Sequence, residues 1–129
     1  VLMRDDDHKE RAHESVVESF YESLGYKKHD EIRFRQGRMD ISIYNDGKPM
    51  IVNEVKRDWS LSSSDKKALQ QAYNYALEND TRFVVVTNGD YYGIYDRQQG
   101  TSYNTNFVGE FNLSRLDSDA VKLIEILRK

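Results

Sequence analysis

The sequence predicts an α/β domain in which a mixed β-sheet is flanked by helices. Apolar residues recur at helical spacing in three separate segments of the chain. Between the first two of these segments, an alternating run, a turn sequence and a second run predict a β-hairpin. A continuous apolar stretch, Phe83 to Val86, suits a strand that is covered on both faces.

The first half of the chain is expected to hold one helix and three strands. The helix runs from Lys9 to Leu24, and Gly25 is a natural C-terminal stop. A short strand follows over residues 31–36. The hairpin then comprises a strand over residues 39–44, the turn Asn45-Asp46-Gly47-Lys48 and a second strand over residues 49–56.

The second half alternates helices and strands. A loop over residues 60–65 can cap a helix over residues 66–79. Strands follow over residues 83–86 and 91–95, whereas residues 97–112 show no regular pattern and receive no element. The chain closes with a helix over residues 114–127, whose apolar positions are Leu116, Val121, Leu123, Ile124 and Leu127. The expected order is one helix, three strands, a helix, two strands and a helix.

Length and composition predict a single domain spanning residues 1–129. Apolar residues make up 38% of the chain and charged residues 32%, which is polar for a globular protein but not typical of disorder. The absence of cysteine excludes disulfides and thiolate zinc sites and favours a cytoplasmic location. No stretch approaches the length of apolar residues that a membrane helix requires.

The net charge of −3 argues against nucleic-acid binding, but the charge is unevenly distributed. Residues 27–72 hold 10 basic and 7 acidic side chains, a local excess of three. Two of those acids, Asp40 and Glu54, are candidate metal ligands whose charge a bound cation would neutralise. The local charge therefore gives modest support to a nucleic-acid partner.

The candidate catalytic residues are Asp40, Glu54 and Lys56. Side chains two apart on a strand point to the same face, so Glu54 and Lys56 project together while Val55 points into the core. The hairpin places Asp40, near the start of one strand, beside the end of its partner strand. The two carboxylates and the Val55 carbonyl can supply the oxygen ligands that Mg²⁺ prefers.

This arrangement suits the hydrolysis of a phosphodiester. A metal held by Asp40 and Glu54 can activate a water molecule and neutralise the leaving oxygen. Lys56 would orient the attacking water and offset charge on the phosphate. The competing interpretation is a surface ion pair between Glu54 and Lys56 of little energetic value. Apolar neighbours around Glu54 favour the catalytic interpretation, because they indicate a carboxylate near the centre of the sheet.

Several further residues give weaker signals. Glu14 can face the core side of the first helix as a further metal ligand, although a solvated glutamate is the commoner case, and Glu10 competes for the same role. Gln71 and Tyr75 share a helix face and can position Lys56 or a DNA phosphate. Taken alone, Tyr75 is more often a core aromatic.

The pattern resembles the PD-(D/E)XK nuclease superfamily, in the version found at the N-terminus of type I restriction enzyme R subunits. The likeness extends over nearly the whole chain. The stretches that carry it are residues 24–26, Arg38 to Tyr44, Met50 to Arg57, Gln71 to Ala76, and Phe83 to Gly89. Met39 stands where the superfamily's name has proline, which does not affect the chemistry.

The resemblance implies a restriction-endonuclease-like αβββαβ core, double-stranded DNA as substrate, and Mg²⁺ with Mn²⁺ as a substitute. By position it implies Asp40 and Glu54 as metal ligands, Lys56 as the catalytic lysine, and Gln71 with Tyr75 as the helix motif. A DNA endonuclease in restriction or phage defence follows, either within a larger restriction polypeptide or as a homodimer. A non-cleaving module that binds nucleic acid or protein, and an enzyme acting on RNA or branched DNA, stay open as alternatives.

Overall fold

The computed structural model describes residues 5–37, 39–56, 66–100 and 106–129, with the backbone alone for residues 5–10 and 66. The helices and strands in chain order are α1 (Asp5–Ser23), β1 (Ile32–Gln36), β2 (Met39–Asn45), β3 (Lys48–Val55), α2 (Lys66–Glu78), β4 (Phe83–Thr87), β5 (Tyr91–Asp96), β6 (Phe107–Asn112), a 3₁₀ turn (Leu113–Arg115) and α3 (Ser118–Leu127). The predicted α/β class, with helices flanking a mixed sheet, is confirmed.

Within the described residues, six strands form one sheet in sequence order, β1-β2-β3-β4-β5-β6. Strands β3 and β4 are parallel, and the other neighbouring strands are antiparallel. A parallel pair needs a crossover connection, and α2 lies within the connection between β3 and β4. Strand β3 therefore lies inside the sheet, with β2 on one side and β4 on the other.

Helices cover both faces of the sheet. Helices α1 and α3 contribute to the larger apolar cluster on one face, together with Ile41, Val55 and Ile94. On the other face α2 packs through Ala72 and Ala76 against a smaller cluster that contains Val52 and Val84. In the part of the chain that the structure describes, no helix is long and apolar enough to cross a membrane.

The predicted β2–β3 hairpin is confirmed. Asp46 and Gly47 both have positive φ, at 53° and 76°, as a two-residue turn of type I′ requires. Gly25, at φ 102°, follows α1 as the predicted stop.

The structure corrects two expectations for the C-terminal third. Residues 107–112, which received no element, form the edge strand β6, whose register against β5 shifts between Ile94 and Tyr95. The final helix begins at Ser118, because Asp117 accepts a hydrogen bond from the Ala120 amide as its N-cap. Of the apolar residues assigned to this helix, Leu116 now precedes it, and Leu116 and Val121 are 54% and 51% exposed.

Candidate active site

The hairpin places Asp40 beside the end of β3. Ile41, which follows Asp40, pairs with Asn53, which precedes Glu54. Asp40 Oδ2 also accepts a hydrogen bond of 2.8 Å from the Val55 amide. The predicted proximity of Asp40 to the end of β3 is therefore confirmed.

A buried polar network fixes this part of the hairpin from the α1 side. The Tyr21 hydroxyl donates to Asn53 Oδ1 at 2.6 Å, and Asn53 Nδ2 donates to the Ile41 carbonyl at 3.2 Å. Tyr21 and Asn53 are fully buried. This network ties α1 to both strands at the residues that adjoin Asp40 and Glu54, and so sets their relative position.

Glu54 and Lys56 lie together at the end of β3. Glu54 is buried, at 8% exposure, and Lys56 Nζ lies 3.7 Å from Glu54 Oε1. The Lys56 amide donates to the Thr87 carbonyl at 2.9 Å, which extends the β3–β4 pairing past the end of the strand. Val55 between them is buried in the larger cluster, as predicted. The burial of Glu54 in the interior of the sheet is not that of a surface ion pair.

The environment of Asp40 disfavours its negative charge. Burial raises the pKa of Asp40, and the nearby Glu14 carboxylate raises it further. The Val55 amide, Arg35 and Lys56 act in the opposite direction, but the net shift of the pKa is upward. A carboxylate in such a position is stabilised by an added cation.

The structure corrects the expectation that Glu14 is solvated, and it adds Arg35, which the sequence analysis did not identify. Glu14 is buried, at 5% exposure, rather than solvated on the helix face. Its Oε1 accepts a hydrogen bond of 2.6 Å from Arg35 Nη2, and Arg35 Nη1 lies 3.3 Å from Asp40 Oδ1. The burial is tolerated because Arg35 supplies the opposite charge. Glu10, the alternative to Glu14, has its side chain outside the described residues.

Gln71 and Tyr75 line a cleft of about 300 Å³ together with Gly37, Asn74 and Glu78. Tyr75 is half-buried against the smaller cluster, which agrees with its interpretation as a core aromatic. Burial, followed by the neighbouring Tyr44, raises the pKa of Tyr75. Gln71 is exposed on the same helix face, so the predicted pairing of these two residues on α2 is confirmed, while their role stays a prediction.

The oxygen donors at this position suit Mg²⁺. No group of three or more histidine, cysteine, aspartate or glutamate side chains arranged for a metal ion occurs within the described residues. Mg²⁺, however, commonly uses one or two carboxylates and keeps several waters. Asp40, Glu54 and the Val55 carbonyl therefore fit this ion, and their role as ligands stays a prediction. Arg38, Arg57 and the predicted loop over residues 60–65 lie outside the described residues.

Comparison with known families decides the relationship. The family described as Type I restriction enzyme R protein N terminus (HSDR_N) matches residues 9–103. The chain belongs to this family. The resemblance stated from the sequence is thereby confirmed, and the stretch matched to the R protein N-terminus contains Glu14, Asp40, Glu54, Lys56 and Gln71.

The chain is also similar to a solved structure, a fragment described as an HsdR subunit of a type I restriction enzyme from Vibrio vulnificus YJ016. The sequences are 19% identical with a TM-score of 0.49. The match covers 97% of this chain and 26% of the other, so this chain spans about a quarter of that chain's length. A comparison with curated proteins gives no match.

Proposed function

We propose that this chain is a divalent-metal-dependent DNA endonuclease domain, active in restriction or phage defence, with Asp40, Glu54 and Lys56 at its catalytic centre. The observation that carries the proposal is the convergence of these residues at one end of the β2–β3 hairpin. Asp40 accepts a hydrogen bond from the amide of Val55, the residue between Glu54 and Lys56, and Lys56 Nζ lies 3.7 Å from Glu54 Oε1.

Each residue has a separate role in hydrolysis of the phosphodiester. Asp40, Glu54 and the Val55 carbonyl would hold the ion, which when bound supplies an activated water and charge neutralisation at the phosphate. The ammonium of Lys56, held beside Glu54, would donate a hydrogen bond to the attacking water and balance the charge that develops on the phosphate oxygens. Lys56 is 39% exposed, so a substrate phosphate can reach it.

Gln71 has a supporting role in the proposal. It is exposed on the cleft that Gly37 and Tyr75 also line, and Gly37 lies three residues before Asp40 in the sequence. A DNA strand that approaches Asp40 from this side would meet the Gln71 amide, which can donate to a phosphate oxygen. Double-stranded DNA is the proposed substrate, and membership of the family supports a place within a larger restriction polypeptide.

The proposal is tested by incubating the purified protein with supercoiled plasmid in Mg²⁺, in Mn²⁺ and in EDTA. Conversion to nicked or linear DNA is expected with either ion and not with EDTA. A parallel incubation with a single-stranded RNA of similar length separates DNA from RNA as substrate. Cleavage that persists in EDTA, or intact plasmid in every condition with protein shown to be folded, would contradict the proposal.

One observation favours a second candidate, a nuclease-like module that binds without cutting. Arg35 contacts both Glu14 and Asp40, so this pair of carboxylates already has a counter-ion in the absence of metal. Such a module would shift a labelled duplex in a gel in EDTA as strongly as in Mg²⁺ and leave it intact. The intact set of Asp40, Glu54 and Lys56 supports the catalytic proposal over this one.

A further inference from the structure

Arg35 lies between the carboxylate of Glu14 and that of Asp40, a member of the candidate centre. Its Nη2 is 2.6 Å from Glu14 Oε1 and its Nη1 is 3.3 Å from Asp40 Oδ1. The carboxylates are shielded from solvent, with side-chain exposures of 6% and 25%, whereas Arg35 itself is 54% exposed. The guanidinium therefore reaches from the surface into a site whose acids are held by the fold.

The backbone also marks Arg35 as an unusual position. Its φ is 56°, in the left-handed region that a residue with a side chain seldom adopts. Phe34 pairs with Ile41 and Gln36 with Met39, so Arg35 is set opposite Asp40 across the β1–β2 ladder. Such backbone strain persists only where the surroundings impose it, and it is concentrated at functional sites.

Arg35 and a divalent ion would compete for Asp40. Asp40 Oδ2 accepts from the Val55 amide, and Oδ1 faces Arg35. A divalent ion held by Asp40 would bring two further positive charges close to the guanidinium, because Arg35 Nη1 lies 3.3 Å from Asp40 Oδ1. The two cations repel each other, so ion binding favours a conformation in which Arg35 has left Asp40.

A cavity next to Arg35 offers a place for the released side chain. It has a volume of about 320 Å³ and is lined by Arg11, Glu14, Ser15, Phe34 and Arg35. Two of these residues are arginines, which bind phosphate oxygens through paired hydrogen bonds, and Ser15 adds a hydroxyl. Phe34, 37% exposed, adds an apolar surface on which a sugar or base can pack.

We propose that Arg35 is a resident counter-ion of Glu14 and Asp40 that a divalent ion displaces, that the charge of the ion then compensates both carboxylates, and that the released guanidinium binds a DNA backbone phosphate at this cavity. This proposal rests on the proposed function, since it requires an ion at Asp40. Arg35 thereby couples metal binding to DNA binding, because its guanidinium binds the substrate phosphate only when the site holds the ion.

Ion affinity provides the first test. Mn²⁺ binding is measured by calorimetry on the wild-type protein, on Arg35→Met and on the control Arg33→Met. Arg35→Met should bind Mn²⁺ at least about fivefold more tightly, because the competing charge is gone. Arg33 lies on the same strand with its guanidinium over the Tyr44 ring, 3.9 Å from the centroid. Tyr44 is four residues from Asp40, about 13 Å along β2, beyond the screening length of about 8–10 Å, so the control should change little.

A measurement on the wild-type protein guards against a poorly folded variant. The Arg35 side-chain ¹⁵Nε–¹Hε resonance is assigned by its absence in Arg35→Lys and followed during a titration with Mg²⁺. It should shift with the same midpoint as ion binding. A resonance that is unchanged at saturating Mg²⁺, or an Arg35→Met variant that binds Mn²⁺ no more tightly than wild type, would overturn the displacement.

Duplex binding tests the second half of the proposal. Anisotropy of a short fluorescent duplex is measured in EDTA and in Ca²⁺, which takes the same oxygen ligands. Ca²⁺ should strengthen binding by the wild type and by Arg33→Met but not by Arg35→Met, and an equal gain in all three would overturn phosphate binding by Arg35. If the wild type binds no ion, the proposed function fails as well. If it binds ions and cleaves DNA while Arg35→Met behaves as wild type, this inference alone fails.

Discussion

Replacing Asp40 with asparagine should stabilise the metal-free protein. The substitution removes a charge that burial and Glu14 disfavour, as the raised pKa of Asp40 indicates. The asparagine side-chain oxygen can still accept the hydrogen bond from the Val55 amide. The ion pair with the exposed Arg35 is lost, but such a pair is worth only about 0–1 kcal/mol. The melting temperature of Asp40→Asn in EDTA should therefore exceed that of the wild type.

Mg²⁺ should stabilise the wild type more than it stabilises Asp40→Asn. If Mg²⁺ binds the folded state with a dissociation constant of about 1 mM, about 10 mM Mg²⁺ stabilises it by roughly 1.4 kcal/mol. For a chain of this size that free energy corresponds to a rise in melting temperature of about 3–6 °C. Asp40→Asn should lose most of this rise because it removes a charged ligand.

The stability of the wild type relative to Asp40→Asn should fall as the pH rises. A carboxyl whose pKa is raised in the folded state contributes stability that is fully present below its ordinary pKa of 3.8 and is lost as pH rises through the folded pKa. In EDTA the wild type should therefore fall below Asp40→Asn as pH rises above about 4. Thermal melts followed by circular dichroism at several pH values test this. A variant that melts below the wild type in EDTA, or that keeps the full response to Mg²⁺, would refute the reasoning.

Two further predictions concern the framework of the site. Gly37→Ala should destabilise the protein more than Gly47→Ala in urea unfolding, although both positions have positive φ. An added Cβ at Gly37 would lie 2.5 Å from Tyr75 Cε2, whereas at Gly47 it would meet nothing within 4 Å. Equal losses of stability would contradict the packing of Tyr75 on this turn. Tyr21→Phe should lower the free energy of unfolding by about 1–3 kcal/mol, because it leaves the buried Asn53 Oδ1 without its donor, and a neutral effect would contradict that network.

The sequence predicts the hairpin and the position of Asp40 beside the end of β3 because both follow from local patterns. Alternation around Ile41 and Ile43, and the turn at Asp46-Gly47, determine which residues of β2 and β3 face each other. Asp40 and the end of β3 then meet by register alone. This part of the site needs no knowledge of how the sheet packs.

Arg35, Glu14 and β6 depend on contacts between distant parts of the chain. The burial of Glu14 arises from packing of α1 on the sheet and from the cation of β1, 21 residues away. The sequence could indicate that Arg35 lies beside Asp40 only if β1 and β2 were paired through a turn at Gly37. Strand β6 has a glycine at its centre and pairs on one side only, so its pattern is too weak to distinguish from a loop.

Plasmid cleavage by single variants tests the central claim most directly. Asp40→Ala, Glu54→Ala and Lys56→Ala are compared in Mg²⁺ with Lys48→Ala, which removes an exposed lysine of the same hairpin. Each of the three should lower the cleavage rate at least about 100-fold, and double variants should lose little more than single ones, because the residues act as one unit. Lys48→Ala should cleave as the wild type does. A Lys56→Ala or Glu54→Ala protein that is folded and cleaves at the wild-type rate would contradict the assignment of the catalytic centre.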